Sequence, residues 1–225
     1  MRHIEHYIYD NEITDYDNLS IPEKGKILYR YSIIASLITG NAEILEIGTG
    51  NGLLCSFTDR IIHSLDISQI NNPANALKTE GDVYDMPYCD NTFDIIILSQ
   101  VLEHLEHPQN ALREIKRILS PEGSVIITVP YNEQIKYTLC IHCNKLTPLN
   151  AHLHSFDRKD LYSLAHSVNM HAAKSMVFEN RLLTKLLFFS TYRVFPFFLL
   201  RSFDSIAKIV FNRYNKILIV LKMGQ

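Results

Sequence analysis

Strong net charge, abundant cysteine and long apolar runs are all missing from this sequence. With 22 Lys or Arg against 24 Asp or Glu, the formal charge is only -2, so no global field draws the chain to a nucleic-acid polyanion. Four cysteines in 225 residues do not form the disulfide framework of a small secreted scaffold. No run of about 18 uncharged apolar residues occurs, so a membrane-spanning helix is not predicted. The opening Met1-Arg2-His3-Ile4-Glu5-His6 lacks the apolar stretch and cleavage site of a signal peptide. These absences make a reducing cytoplasm the expected location. Internal repeats and low-complexity linkers are absent too. What is there is 47% hydrophobic and 20% charged, with mean hydropathy near zero, which excludes disorder and collagen-like chains. The length suits one domain with a full core.

The near-neutral balance hides an asymmetry. Between Arg181 and Lys222 eight Lys or Arg face one acid, Asp204, a net of +7 that leaves -9 on the remainder. Along the chain, Ser20-Ile21-Pro22-Glu23 reads as a helix start, with Ser20 as N-cap, Pro22 in the first turn and Glu23 closing a capping box. That helix runs through Leu37 and ends near Gly40. Short apolar strands are expected over 42–47 and 61–65, with a third ending near Asp82. Phe93 to Leu98 is an uninterrupted β-branched run, as in a strand buried on both faces. His107-Pro108 opens a helix carrying Leu112, Ile115, Ile118 and Leu119. Pro121-Glu122-Gly123 then turns the chain into strand 125–129. Asp157 caps a helix through Met170, a strand follows near Met176, and 216–222 reads as the last strand. Strand-helix alternation of this kind means α/β with right-handed crossovers. One domain is expected over 1–225: a cap helix within 1–40, a core over 41–130, a Cys/His insertion over 131–155, and an apolar, basic cover over 181–213.

The strongest chemical signal is Glu46-Ile47-Gly48-Thr49-Gly50-Asn51-Gly52, after a strand and before an expected helix. Glycines let the backbone turn sharply and approach a ligand, although a plain tight turn would also use them. A dinucleotide fingerprint would place its third glycine at position 53, which is Leu53, so the loop argues against NAD. Asp66 ends the second strand, where an acid can take a ribose diol, and Gly81-Asp82-Val83 ends the third.

Taken in order, Glu46 to Gly52, Leu65-Asp66-Ile67, Gly81 to Tyr88, Phe93 to Leu105 and Leu112 to Gly123 resemble the class I S-adenosylmethionine-dependent methyltransferases. Within that class the chain is most similar to the small-molecule branch (methyltransferase type 11) that includes ubiquinone and menaquinone biosynthesis enzymes. The resemblance spans 42–130 and implies a Rossmann-like fold: a seven-stranded, mostly parallel sheet with the last strand antiparallel and helices on both faces. It implies that Gly48, Thr49, Gly50 and Gly52 pass under the methionine part of S-adenosylmethionine, with Glu46 holding its amino group. Asp66 would bind the ribose hydroxyls and Ile67 would pack on the adenine. Asp82 and the Val83 N–H would meet the adenine edge, and Ser99 would offer its carbonyl near the methionine amino group. Gln100 departs from the Glu-x-x-Glu-His arrangement with which the quinone enzymes often hold a divalent cation. Losing that carboxylate weakens a hard-cation site and argues against a metal-assisted catechol substrate. The Ser99-Gln100-Val101-Leu102 run also disfavours adenine or amide nitrogen as acceptor.

Cys140-Ile141-His142-Cys143 with His152 and His154 forms a second constellation. Two thiolates two residues apart plus two imidazoles fit a structural zinc site; free thiols or a redox pair are the alternatives. The third is 181–213, whose Phe and Leu clusters interleave with Arg193 and Arg201. It reads as a helical cover over the substrate pocket, an interfacial segment on anionic lipid, or a dimer contact. An oxygen acceptor needs a base, for which His104, His107, Tyr131, His152 and His154 are candidates, the last two with metal ligation as their other reading, while a carbanion does not. His104 equally suits a histidine held by backbone. Methyl transfer to an oxygen or carbon of a small or lipid-linked metabolite, by a monomer or homodimer, is the leading expectation. A non-catalytic cofactor-binding subunit is its rival.

Overall fold

The computed structural model describes residues 19–50, 52–67, 75–141, 144–186 and 195–224; the backbone alone is described for 208–210. Asn51, Cys143, Arg193 and the apolar run at 187–189, all singled out above, lie outside the described residues.

Helix α1 (Ile21–Ala35) begins as its sequence predicts. The Glu23 carboxylate accepts from the Ser20 N–H at 3.0 Å and from the Ser20 hydroxyl, closing the capping box. Strands β1 (Ile44–Ile47), β2 (Ile62–Asp66), β3 (Ala76–Glu80), β4 (Phe93–Ser99) and β5 (Leu119–Pro130) are mutually parallel. Two further strands, β8 (Met170–Asn180) and β9 (Tyr214–Met223), complete a sheet in the order β3-β2-β1-β4-β5-β9-β8. Strand β9 runs antiparallel to both β5 and β8, so the expected mostly parallel sheet with an antiparallel last strand is what forms.

Alternation along the central strands divides the core in two. Ile96 and Leu98 of β4 and Ile127 of β5 face helices α2 (Pro108–Ile118) and α3 (Arg158–Ser167), which contribute Leu112, Ile115, Leu161 and Ala165. Ile95, Ile97 and Ile126 face the other way, against Tyr29, Ile33 and Ile34 of α1 and Leu200 of α5 (Phe197–Val210). A short helix, α4 (Arg181–Lys185), follows β8. Each fully buried Leu or Ile contributes about 1.5–3 kcal/mol, so these two layers hold the sheet between them.

Four expectations change. The Gly-rich loop leads into a five-residue 3-10 turn (Leu53–Phe57), not an α-helix. Thr58 is already extended and β2 starts at Ile62, leaving no room for more turns. Pro121-Glu122-Gly123 lies inside β5 as a bulge, since the register jumps from Phe93–Leu119 to Ile95–Ser124. Helix α3 stops at Ser167 because Asn169 takes a left-handed φ of 56° and turns the chain directly into β8. The insertion contains a small antiparallel hairpin, β6 (Tyr137–Leu139) with β7 (Leu146–Pro148), which its composition did not suggest.

Candidate functional site

Strand β1 has β2 on one side and β4 on the other, and the chain crosses the sheet in opposite directions from it. Such a switch point opens a crevice beyond the carboxyl ends of the strands. Gly48, Gly50 and Gly52 line it with φ of 69°, 52° and 64°. A Cβ at Gly48 would collide with Val101, whereas one at Gly50 would meet nothing within 4 Å, so the backbone there borders open space. The Thr49 hydroxyl turns inward, donating toward the Glu46 carbonyl (3.1 Å) and Ser64 (2.9 Å), which leaves only its backbone for a ligand.

Glu46 is 0% exposed; its carboxylate has the Tyr31 hydroxyl beside it but no ion pair among the described residues. Burial pushes its pKa up to about 8; the nearby Tyr31 hydroxyl and Arg30 offset part of that rise. Asp66, at the end of β2, accepts from the Gly50 N–H at 3.3 Å. Half-buried Ile67 follows it. Exposed Asp82 caps its own turn through the Tyr84 N–H at 3.0 Å, while the Val83 side chain packs into the core. Ser99 is buried at the end of β4 and accepts from Thr128 at 3.3 Å. All the expected cofactor residues with described positions thus come to one edge of the sheet.

A second group on the same edge was not foreseen. Buried Glu103 and Glu179 are joined with half-buried Arg30 and Lys216 in one electrostatic cluster, and Lys216 donates to the Gln100 amide oxygen. Burial raises the pKa of Glu179 and lowers that of Lys216. Gln100 and Glu179 both hold left-handed backbones, φ 63° and 57°, at the ends of β4 and β8. Residues this strained collect where a side chain must be aimed. Asp204 of α5 fixes the end of β8 by accepting from the Glu179 N–H (3.0 Å), the Asn180 N–H (2.7 Å) and the Tyr29 hydroxyl (3.1 Å). Sequence reading passed over these residues because Arg30, Glu179 and Lys216 each sit in an ordinary element. A charged residue opening the apolar run 216–221 was the available signal.

The candidate bases separate. His107 is exposed at the start of α2, its N–H donating to the Tyr84 hydroxyl at 3.0 Å. Tyr131 is half-buried just past β5. His104 lies in a 3-10 turn (Leu102–His104) after β4, its ring 4.8 Å from that of His152. Of the expected zinc set, Cys143 lies outside the described residues, and Cys140, His152 and His154 form no shared ligand cluster among those described. Cys140 sits in the β6–β7 turn, and His154 donates through Nε2 to the Leu105 carbonyl at 2.9 Å. The described cluster with metal-binding capacity is Glu103, His104 and His152, with Cys140 and His154 outside it.

On α5, Leu200 is buried and Phe197 packs against Tyr29 with ring centroids 5.9 Å apart, but Phe198 and Ile206 are 63% and 57% exposed.

Residues 24–172 match the family model described as a methyltransferase domain. A ubiquinone/menaquinone biosynthesis C-methyltransferase of Cellvibrio japonicus is 26% identical over 163 residues, covering 63% of this chain and 66% of that protein. An uncharacterized methyltransferase of Schizosaccharomyces pombe is 45% identical over 62 residues, which is 28% of this chain and 21% of the yeast protein. The 1,6-didemethyltoxoflavin-N1-methyltransferase of Burkholderia thailandensis, solved with its substrate and S-adenosylhomocysteine, superposes with a TM-score of 0.61 over 96% of this chain and 84% of its own, at 12% identity, a likeness of fold. With a family model covering well over half of its length and a sheet of the same architecture, the chain belongs to the methyltransferase-domain family.

Proposed function

We propose that the protein transfers a methyl group from S-adenosylmethionine to an oxygen or carbon atom of a small polar metabolite. The observation that carries this reading is the wholly buried Glu46 carboxylate, met by the Tyr31 hydroxyl but by no ion pair among the described residues, beside the open space over Gly50. A buried carboxylate of this kind is costly unless a cation completes it, and the cofactor's ammonium group is the right charge at the right strand end. Glu46 then holds that ammonium, and the 48–52 backbone lies under the methionine chain. Asp66 takes the ribose hydroxyls, Ile67 packs on adenine, and Asp82 with the Val83 N–H reads the adenine edge. The Ser99 carbonyl meets the amino group from β4. When bound, the cofactor supplies a methyl already activated on a sulfonium, so the chain's own task is alignment.

Arg30, Gln100, Glu179 and Lys216 form the acceptor side of the crevice. Glu179 accepts from acceptor O–H or N–H groups, Lys216 donates to an oxygen, and α1 and α5 exclude water above them. A charged lining of this kind favours a polar acceptor over an apolar one. Purified protein should bind S-adenosylhomocysteine in calorimetry and release it from S-adenosylmethionine when given hydroxylated metabolites. Binding without turnover across such a panel would favour the non-catalytic subunit, and absence of binding would refute the assignment outright.

A second reading concerns access. The outward Phe198 and Ile206 on α5, in a segment rich in Lys and Arg, support peripheral contact with anionic lipid, from which a lipid-linked acceptor could enter. Vesicles of anionic phospholipid should sediment wild type, with Phe198→Ser/Ile206→Ser reducing the bound fraction several-fold at an unchanged melting temperature. Equal sedimentation of both proteins would refute it. Phe197 is unsuitable for this test because it packs on the core.

A further inference from the structure

The insertion carries a second surface, outside the crevice. Its hairpin pairs Tyr137 with Pro148 and Leu139 with Leu146, so these four side chains share one face of the two strands. Thr138 and Thr147 pair on the other. A strand pair packed on a core hides its apolar face, but this one presents it. Tyr137 is 59% exposed, Leu139 55% and Leu146 73%, and Ile141, just beyond β6, reaches 92%. Their uncovered area is on the order of 500 Å², a patch of the size that soluble monomers leave bare mainly where it is used. The hairpin is held at both ends: the Leu149 N–H donates to the Lys136 carbonyl (2.8 Å) and the Cys140 N–H to the Lys145 carbonyl (2.9 Å).

Charge identifies what fits this face. The chain has 24 Asp and Glu, yet none falls between Glu133 and Asp157. Glu133, at the base, is engaged by the His152 ring. Lys136 at the root of the hairpin and Lys145 before β7 are both exposed, and neither has an ion pair among the described residues. An apolar face framed by cations, in a chain of net charge -2, calls for a partner that is apolar and anionic. A second copy of the hairpin would bring lysines against lysines around the apolar contact, which opposes self-association. An anionic bilayer meets every requirement. Its acyl boundary accepts Leu139, Ile141 and Leu146, its headgroup level suits the amphipathic ring of Tyr137, and its phosphates attract Lys136 and Lys145.

We propose that the β6–β7 hairpin docks the protein on an anionic phospholipid surface, with Ile141 leading into the acyl boundary and Lys136 and Lys145 on the headgroups. The insertion that carries it is anchored at the crevice. The Leu153 and His154 N–H groups donate to the Glu103 carbonyl at 2.8 and 3.2 Å, which lays the end of the insertion against the turn after β4. Between hairpin and crevice lies a cavity of about 170 Å³, lined by Ile135, Lys136 and Leu149 at the hairpin root and by Glu133 and His152 on the crevice side. Lys136 thus belongs to both the lipid-facing set and the cavity wall, and a phosphate drawn to it lies at the cavity mouth. Lipid docking by the hairpin is independent of methyl transfer and uses residues other than those of α5.

The chain contains no tryptophan, so Ile141→Trp installs a single reporter at the tip. On vesicles of equal parts phosphatidylcholine and phosphatidylserine its emission should shift to the blue and be quenched by brominated acyl chains. Wild type should sediment with these vesicles and bind pure phosphatidylcholine at least about tenfold more weakly. Ile141→Asp/Leu146→Asp should lower affinity for the mixed vesicles at least about tenfold, with the melting temperature and S-adenosylhomocysteine affinity unchanged. Lys136→Ser/Lys145→Ser should lower it about tenfold at low salt, a difference that high salt largely removes. Where the double aspartate variant melts below wild type, Ile141→Asp alone takes its place. An unshifted emission while the vesicles still sediment the protein would assign the contact to α5 and overturn the hairpin's role. So would failure of wild type to bind the mixed vesicles, or a wild-type dimer in sedimentation velocity that Ile141→Asp/Leu146→Asp dissociates, since a second copy would then cover the face.

Discussion

Glu46 sets stability against recognition, and Glu46→Gln separates the two. In the folded chain its carboxyl stands at about 8 against an ordinary 4.5, because burial strips its hydration. Below pH 4.5 both folded and unfolded chains keep the proton, and the residue costs nothing through ionisation. Between 4.5 and 8 the unfolded chain releases the proton while the folded one retains it, so stability falls as pH rises, by about 1.4 kcal/mol per unit. At pH 7 the loss is roughly 3 kcal/mol. Glutamine is neutral at every pH and carries much the same buried polar atoms as the protonated acid. The variant should therefore melt roughly 6–12 °C above wild type at pH 7, with the gap nearly closed at pH 5. Cofactor binding should move the other way. Losing the carboxylate opposite a buried ammonium costs about 2–5 kcal/mol, a fall in S-adenosylhomocysteine affinity of about thirtyfold or more. Melting curves from pH 5 to 8 and calorimetry on both proteins supply the data. A variant less stable than wild type by an amount independent of pH would refute the argument, since burial would then not be what holds the Glu46 proton.

Two further outcomes follow from the same geometry. Gly50→Ala and Gly40→Ala should each cost about 1–2 kcal/mol, because both positions are left-handed with open space around them. Only Gly50→Ala should lower cofactor affinity, by about tenfold or more, since its methyl fills the space over the loop; equal calorimetric affinities would reject that placement. Asp204→Ala should lower stability in urea by about 3–5 kcal/mol, since it abandons the Tyr29, Glu179 and Asn180 donors in a buried setting. A loss within about 0.5 kcal/mol would show the tie to be dispensable.

The parts of the molecule that sequence made readable are those whose physics is local. Phe93 to Leu98 could only be a strand buried on both faces. Ser20 with Glu23 announced a helix start, and the glycines after Glu46 announced a sharply turning loop at the strand end. The charged chamber was opaque because Arg30, Glu179 and Lys216 come from α1, β8 and β9 and meet only through the order of strands in the sheet. His152 was noticed for its spacing from Cys140, but its partners Glu103 and Glu133 are set by how the insertion docks, which no periodicity encodes. The 3-10 turn after Gly52 and the early stop of α3 reflect connection length and one left-handed asparagine, features that helix patterns do not carry.

The placement of β9 between β5 and β8 dictates the sequence in which a growing polypeptide can become whole. As synthesis proceeds, β1 to β5 emerge with their neighbours and can pair at once, assembling the Gly-rich loop with Asp66 and Ser99. Strand β8 appears next and has no partner, so it waits as an open edge until 214–223 slot in beside it. Lys216 arrives with that closure, and its charged cluster with Arg30 and Glu179 is therefore completed last on the ribosome. Release of a chain cut short before Tyr214 leaves two apolar edges bare at once, a state fit for chaperone capture or aggregation while its first half is already folded.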